Sequence, residues 1–269
     1  MPEVATRNSL LFNYGSLSED QLRFYEEHGY LVLRSVLTQQ GLQSLRRECM
    51  AAWQAEKEAF DPQKNWLHNA LLVNIHRRSP AVQSYYFTGP LVDAAEQIIG
   101  SNIKGAASQL TFKMRGNSLP FGWHQDNGYG ELDPYNTIST LTALDDADEE
   151  NGCLWLIPGS HHDGQIKVDR SPEERAVAKE VVVEADDSRA VPMPLQAGDV
   201  LLFHCWMLHK SDGNFSQDRD RRILFLRYAD ADAVEVYSDR QPRLGRLFRG
   251  QTRFPQVREF EAELSLSPE

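Results

Sequence analysis

Before residue 100, hydrophobic residues recur every three or four positions, a spacing typical of amphipathic helices. Ser18, followed by two acidic residues, has the features of a helix N-cap, and Gly29 has those of a helix end. A short strand is predicted at residues 30–33, and a further helix at residues 91–99. Thr38 is the predicted cap of a longer helix. The buried face of that helix is expected to hold Leu42, Leu45, Cys49, Ala52 and Trp53.

From residue 103 onward the pattern changes to short apolar runs separated by turn sequences such as Pro158-Gly159-Ser160. Strands are predicted at residues 107–114, 137–144, 153–157, 180–184, 199–203, 206–209 and 221–228. Helices followed by many short strands favour a mainly β protein, a sandwich or barrel with a helical layer on one side.

Charge and composition narrow the classes of partner. The chain has 28 Lys and Arg against 39 Asp and Glu, a formal net charge of −11, which disfavours general binding to nucleic acid. We find no apolar run of transmembrane length and no signal-peptide core, so no membrane partner is expected. Cys49, Cys153 and Cys205 are too scattered for a disulfide framework, which fits free thiols in a cytoplasmic protein.

The C-terminal tail carries regularly spaced arginines, which are Arg240, Arg243, Arg246, Arg249, Arg253 and Arg258. Their charge allows three interpretations: a solvated surface, a contact between subunits, or a lid that bears on an anionic substrate. The sequence does not choose among them, and we expect either a monomer or a homodimer.

The segment around His124 and Asp126 carries the clearest chemistry. A His and an Asp two apart on an extended segment point to the same side, so both can bind one metal ion. A second His from a distant strand would complete a facial set of two His and one carboxylate, which suits Fe(II) and oxygen chemistry. Such a triplet alone is a weak signal. His209 is preferred over His204 as the distant ligand because Ser211 follows it on the same face.

Six motifs occur in order between residues 18 and 230: SEDQLRFYEEHGYLVLR, WHQDN, ENGCLWLIPGSH, AGDVLLFH, HKSDGN and RRILFLRY. Together they resemble the phytanoyl-CoA dioxygenase-like branch of the Fe(II)/2-oxoglutarate-dependent oxygenases. The resemblance implies a double-stranded β-helix, which is a cupin-like jelly roll flanked by α-helices. Because both ligand motifs would belong to one site, we expect one domain over residues 1–269. Its parts are helices at about 18–100, a jelly-roll core at about 103–230 and a tail at 231–269.

The resemblance also implies roles for individual residues. His124, Asp126 and His209 match the family's iron ligands, and Lys113 its lysine near the co-substrate. Ser211 and Arg221 match the pair that holds the far carboxylate of 2-oxoglutarate. The segment after His209 is one residue longer than the family pattern, so Arg222 competes with Arg221; strand alternation lets only one face the co-substrate, and Arg221 is preferred.

Four further residues are candidates for contacts in the same cavity. Gln109 shares the alternation parity of Lys113, although a position at the edge of the core fits it equally well. Trp123, Asn127 and Tyr129 flank the metal motif and are candidate substrate contacts, with wall packing as the alternative.

The implied activity is hydroxylation, or another oxidation, of an unactivated C–H bond in a small-molecule metabolite. Fe(II) would be the metal, 2-oxoglutarate and O2 the co-substrates, and succinate and CO2 the co-products. Natural-product tailoring is the preferred setting, and 2-hydroxylation of a fatty acyl-CoA is the first alternative. A cupin-like isomerase, a catalytically inactive binding protein and a nucleic-acid demethylase are alternatives from other classes.

Overall fold

The computed structural model describes residues 10–56, 70–116, 119–129, 131–168 and 181–264. Its helices are α1 (Glu19–His28), α2 (Gln39–Glu56), α3 (Pro80–Thr88), α4 (Pro90–Ile99) and α5 (Pro255–Glu259). The predicted caps are confirmed: the Ser18 side chain accepts a hydrogen bond from Gln21 N, and Gly29 ends α1 at φ 78°. The Thr38 hydroxyl accepts one from Gly41 N at 3.1 Å. None of the described helices is both long and apolar enough to span a bilayer.

Two antiparallel sheets face each other and form the body of the molecule. The strands are β1 (Tyr30–Leu33), β2 (Leu71–Val73), β3 (Ile103–Lys113), β4 (Phe121–His124), β5 (Leu132–Asp133), β6 (Ile138–Ala143), β7 (Leu154–Leu156), β8 (Val191–Met193), β9 (Val200–His204), β10 (His209–Ser211), β11 (Arg221–Asp230), β12 (Val234–Glu235), β13 (Gln241–Pro242) and β14 (Leu247–Arg249). The larger sheet has the order β1-β9-β6-β11-β3-β14, with β2 also paired to β3, and the smaller has the order β4-β10-β7-β8. A small third sheet joins β13, β12 and β5.

Strand β11 shows how the larger sheet separates two cores. Leu224 and Leu226 belong to the cluster shared with the helices, which also contains Leu45, Val82 and Leu91. The alternate residues Ile223 and Phe225 belong to the cluster between the sheets, with contributions from β6, β7 and β9. Alternate side chains of a strand point to opposite faces, so one sheet packs on helices with one face and encloses the space between the sheets with the other. The predicted mainly β fold, a jelly roll with a helical layer, is confirmed.

Two local predictions are wrong, and one helix was missed. Residues 181–184 form no strand, and residue 180 lies outside the described residues. The strand expected at residues 206–209 begins only at His209, because the chain turns before it, with Met207 N bonded to His204 O at 2.9 Å. Helix α3 was not predicted at all; its apolar residues are buried nearly all round, so its sequence lacks the one-sided pattern of an amphipathic helix.

Four of the six arginines of the C-terminal tail pair with acidic side chains of the same chain. Arg249 lies on β14 and pairs with Asp93 and Glu96 of α4. Arg243 pairs with Glu235 at 2.6 Å, and further pairs join Arg240 to Asp133 and Arg253 to Asp232. Strand β14 attaches the tail to the edge of the larger sheet by pairing with β3, and Arg249 links the tail to α4. The pairs of Arg243 and Arg253 lie within the tail.

Leu224→Ala should lower the free energy of unfolding by about 2–5 kcal/mol, because it leaves a cavity in the centre of the helix-facing core. Leu224 is fully buried and lies opposite Leu110 in β3. Val182→Ala is the matched control, because Val182 is 57% exposed, and its change should stay within about 0.5 kcal/mol. Urea denaturation followed by circular dichroism measures both; equal effects would contradict the assigned core.

Candidate metal centre

The smaller sheet brings His124 and His209 together. Strand β10 pairs antiparallel with β4 so that His209 lies directly opposite His124. The two imidazole ring centroids are 4.1 Å apart, and the His209 ring also packs against Phe203 of the larger sheet at 4.7 Å. Register between the two strands therefore places both rings in the space between the sheets.

Hydrogen bonds orient both imidazoles. His124 Nδ1 lies 2.7 Å from Gly122 O, and His209 Nδ1 lies 2.9 Å from Met207 O. A carbonyl oxygen can only accept a hydrogen bond, so Nδ1 carries the proton in each ring. Nε2 is then the nitrogen of each ring that can bind a metal ion.

Asp126 reaches the same space by a route that differs from the prediction. Asp126 is not on an extended segment: β4 ends at His124, and Asp126 begins a single 3-10 turn (Asp126–Gly128). One carboxylate oxygen, Oδ1, lies 3.6 Å from His209 Nε2. The other accepts a hydrogen bond from the Ser139 hydroxyl of β6, so the larger sheet fixes the orientation of this carboxylate.

The three side chains form the one metal-binding group of this kind that the described residues contain, with one donor atom from each within 4.8 Å of the others. His124, Asp126 and His209 are 8%, 7% and 3% exposed. Burial alone would raise the pKa of the Asp126 carboxyl, but the charges of His209, Arg227 and His124 and the Ser139 hydrogen bond hold it below its usual range. Two imidazoles and one carboxylate that converge from one side suit Fe(II) with open positions on the other.

The sequence-predicted anion site lies on the inner face of the larger sheet. Arg221 of β11 lies directly opposite Lys113 of β3. Lys113 Nζ donates to Ser211 Oγ at 2.8 Å and to Ser211 O at 3.1 Å. Arg221 is 4% exposed, its Nε and Nη2 atoms are buried without an acceptor, and burial lowers its pKa to about 10. A buried guanidinium with free donors fits a carboxylate ligand.

Arg222, the competing residue, points the other way. Its Nε and Nη2 donate to the two carboxylate oxygens of Asp145 at 2.7 and 2.6 Å. This bidentate ion pair occupies the guanidinium on the outer face. The structure therefore places Arg221, not Arg222, between the sheets.

The four further candidates from the sequence, Gln109, Trp123, Asn127 and Tyr129, lie in different surroundings. Gln109 lies opposite Phe225 of β11, on the inner face with Lys113. Tyr129 makes an edge contact with the His124 ring at 5.4 Å and is 38% exposed, so it lies between the metal ligands and solvent. Asn127 is fully buried and its Oδ1 accepts from Arg227 at 2.9 Å.

Trp123 is not brought to the metal ligands. It packs with Ile157 and Leu208 in a cluster of its own, and its Nε1 donates to Asp187 at 3.0 Å. Successive residues of a strand face opposite sides, so Trp123 lies on the face of β4 away from His124.

His204, the competitor of His209, is a strand residue outside the metal group. Its Nδ1 accepts a hydrogen bond from Trp206 N at 3.1 Å. Burial lowers its pKa to about 4, and it is not part of the metal-binding group.

Sequence reasoning missed Ser139 and Arg227. Ser139 bonds to Asp126, and Arg227 bonds to the neighbouring Asn127. A signal for Arg227 was present, because it has the same alternation parity on β11 as Arg221. Ser139 lies directly opposite Arg227, but that register is not visible in the sequence.

A jelly roll that encloses two histidines and one carboxylate is typical of non-haem iron oxygenases. The family model described as phytanoyl-CoA dioxygenase (PhyH) matches residues 25–223. The chain belongs to this family, and it is an Fe(II)/2-oxoglutarate-dependent dioxygenase.

Individual relatives agree with this assignment. Phytanoyl-CoA dioxygenase 1 of Oryza sativa subsp. japonica is 26% identical over 269 residues, which cover 82% of this chain and 92% of the relative. A methylphosphonate hydroxylase of Gimesia maris is 29% identical over 231 residues, covering 82% and 85%. Among solved structures, the non-haem α-ketoglutarate-dependent carbocyclase SnoK from nogalamycin biosynthesis superposes with a TM-score of 0.67 at 23% identity, covering 89% of this chain and 97% of SnoK.

Removal of a ligand should abolish iron binding, whereas loss of the Ser139 hydroxyl should only weaken it. We expect no retained Fe(II) in His124→Ala or His209→Ala, and an affinity about 10–100-fold lower in Ser139→Ala, because its hydroxyl orients Asp126. His204→Ala is the matched control and should bind iron normally. Anaerobic equilibrium dialysis measures all four; iron loss in His204→Ala with retention in His209→Ala would contradict the assigned ligands.

Proposed function

We propose that this dioxygenase hydroxylates, or otherwise oxidises, an unactivated C–H bond of a small-molecule metabolite. The preferred setting is natural-product tailoring. Succinate and CO2 are the co-products formed from 2-oxoglutarate. The observation that carries the proposal is the combination of the buried triad with the unpartnered donors of Arg221 on the same inner space.

Each residue has a distinct role in this proposal. His124, Asp126 and His209 hold Fe(II), which when bound supplies the activation of dioxygen. The hydrogen bonds from both Nδ1 atoms keep Nε2 turned to the metal. All three ligands are buried, so the protein excludes bulk water from the place where oxidation occurs.

The far carboxylate of 2-oxoglutarate binds Arg221 in this proposal. The free Nε and Nη2 donors of Arg221 are the supporting observation. Lys113 holds Ser211 in place through two hydrogen bonds, and both lie beside Arg221. Gln109 lies further along β3 on the same face, where it borders the co-substrate.

The substrate meets the iron from the side of Tyr129, whose ring separates His124 from solvent. Asn127 and Trp123 are already bonded to Arg227 and Asp187, so their contribution to substrate binding is indirect. The carbocyclase SnoK, from nogalamycin biosynthesis, supports a tailoring reaction. The rice phytanoyl-CoA dioxygenase supports the second candidate, 2-hydroxylation of a fatty acyl-CoA.

Anaerobic addition of 2-oxoglutarate to the Fe(II) protein should produce a weak metal-to-ligand charge-transfer band in visible light. The band requires the 2-oxo group and the C1 carboxylate to bind the iron together. In air, succinate should form faster when a panel of metabolites contains the substrate. Absence of the band, together with absence of succinate with every compound, would exclude the proposed activity.

Arg221→Ala should leave iron binding intact and weaken 2-oxoglutarate at least about tenfold, because charge-assisted hydrogen bonds contribute about 1.5–3 kcal/mol. Arg222→Ala is the matched control on the same strand and should leave the 2-oxoglutarate affinity within about twofold, since its ion pair with Asp145 is on the outer face. Titration of the charge-transfer band gives both constants. A larger loss of 2-oxoglutarate affinity in Arg222→Ala than in Arg221→Ala would show that Arg222 binds the co-substrate.

A further inference from the structure

A second arginine shares the inner face of the larger sheet with Arg221. Arg227 of β11 lies directly opposite Ser139 of β6 on one side and Ala107 of β3 on the other. Ser139 is the residue that bonds to Asp126, so the row of the sheet that contains Arg227 is the row beneath the metal ligands. Arg227 is therefore placed at the metal end of β11 and Arg221 at the other end.

The guanidinium of Arg227 is buried and only partly satisfied. The residue is 8% exposed, and its Nη2 donates to Asn127 Oδ1 at 2.9 Å. Its Nε is buried without an acceptor. Asn127 is a neutral partner, and among the described residues no carboxylate forms an ion pair with Arg227. A buried cation with free donors is unfavourable unless an anion accompanies it.

Asp126 is the acidic group whose charge acts together with that of Arg227. A metal ion held by Asp126 would draw on the same negative charge and leave Arg227 less compensated. A negatively charged group of a ligand beside Arg227 would restore the compensation.

The sum of the charges in a site that holds iron and 2-oxoglutarate also favours an anionic ligand. Iron contributes two positive charges, and Lys113, Arg221 and Arg227 contribute one each. Asp126 and the two carboxylates of 2-oxoglutarate contribute three negative charges. Two positive charges remain on this inner surface, so electrostatics favours an anionic substrate over a neutral one of the same shape.

We propose that Arg227 is a specificity-determining residue that binds a carboxylate, phosphate or phosphonate group of the substrate beside the iron. Asn127 positions the guanidinium by holding Nη2, and Nε remains to donate to the oxyanion. The inference rests on the proposed function, and it narrows the substrate class to small or medium-sized anionic metabolites.

The test uses the full chain loaded with Mn(II) and 2-oxoglutarate, which gives a readout that does not depend on turnover. Methylphosphonate is the first probe, and the paramagnetic enhancement of its 31P relaxation reports binding beside the metal. Acetate and neutral acetamide, followed by proton relaxation, form a matched pair that differs in charge. Free Mn(II) is monitored by electron paramagnetic resonance, so that only the bound metal contributes.

In the wild-type protein we expect saturable enhancement for methylphosphonate and acetate, and little for acetamide. Arg227→Gln should raise the dissociation constant of methylphosphonate at least about tenfold, while the affinity for 2-oxoglutarate stays within about twofold. Arg227→Lys, which keeps the charge, should retain part of the affinity. Arg222→Gln is the matched control and should bind methylphosphonate and 2-oxoglutarate like the wild type.

Three results would overturn the inference. Equal enhancement by acetamide and acetate would show that the site does not select anions. A loss of 2-oxoglutarate affinity in Arg227→Gln with unchanged methylphosphonate binding would assign Arg227 to the co-substrate. No methylphosphonate or acetate binding by the wild type, with 2-oxoglutarate still bound, would remove the anion site but leave the proposed function. Failure of the wild type to bind 2-oxoglutarate would instead contradict the proposed function itself.

Discussion

The site depends on the register between β4 and β10, which sets His209 directly opposite His124. Because side chains alternate along a strand, a shift of one residue in either strand would turn one ring out of the space between the sheets. The bonds from both Nδ1 atoms to backbone carbonyls make this register chemically useful, since they leave each Nε2 ready for a metal. The two histidine ligands are thus positioned by backbone pairing, whereas Asp126 is held in a 3-10 turn by the Ser139 hydroxyl.

The larger sheet separates the residues that face the site from those that face the helices. Along β11, Arg221, Ile223, Phe225 and Arg227 alternate with Arg222, Leu224 and Leu226. The second set packs on the helices or pairs with Asp145, whereas the first set faces the smaller sheet. In the roles proposed for them, each of the two buried arginines pairs with an anionic group of a ligand, which would offset the cost of burying its charge. The space between the two sheets would therefore bind negatively charged groups.

Much of this could be predicted from the sequence where the signal is local. The caps at Ser18, Gly29 and Thr38 depend on neighbouring residues, and so does the parity that separates Arg221 from Arg222. Non-local contacts account for what was missed or wrong. Residues 181–184 have strand-like side chains, and Val183 N donates to Trp123 O of β4 at 2.8 Å, but this contact does not extend into a strand ladder. Trp123 adjoins His124 in sequence, yet its packing partners come from elsewhere in the chain. Arg227 was overlooked because its significance comes from Ser139 and Asn127, which lie near it only in the folded protein.

The most direct test of this account is a crystal structure of the protein with Mn(II) and 2-oxoglutarate, prepared without oxygen. The account predicts one metal ion bound by His124 Nε2, Asp126 Oδ1 and His209 Nε2. It also predicts the far carboxylate of 2-oxoglutarate on Arg221 and an unchanged Arg222–Asp145 pair. A metal ion bound elsewhere, or a co-substrate carboxylate held by Arg222, would contradict it.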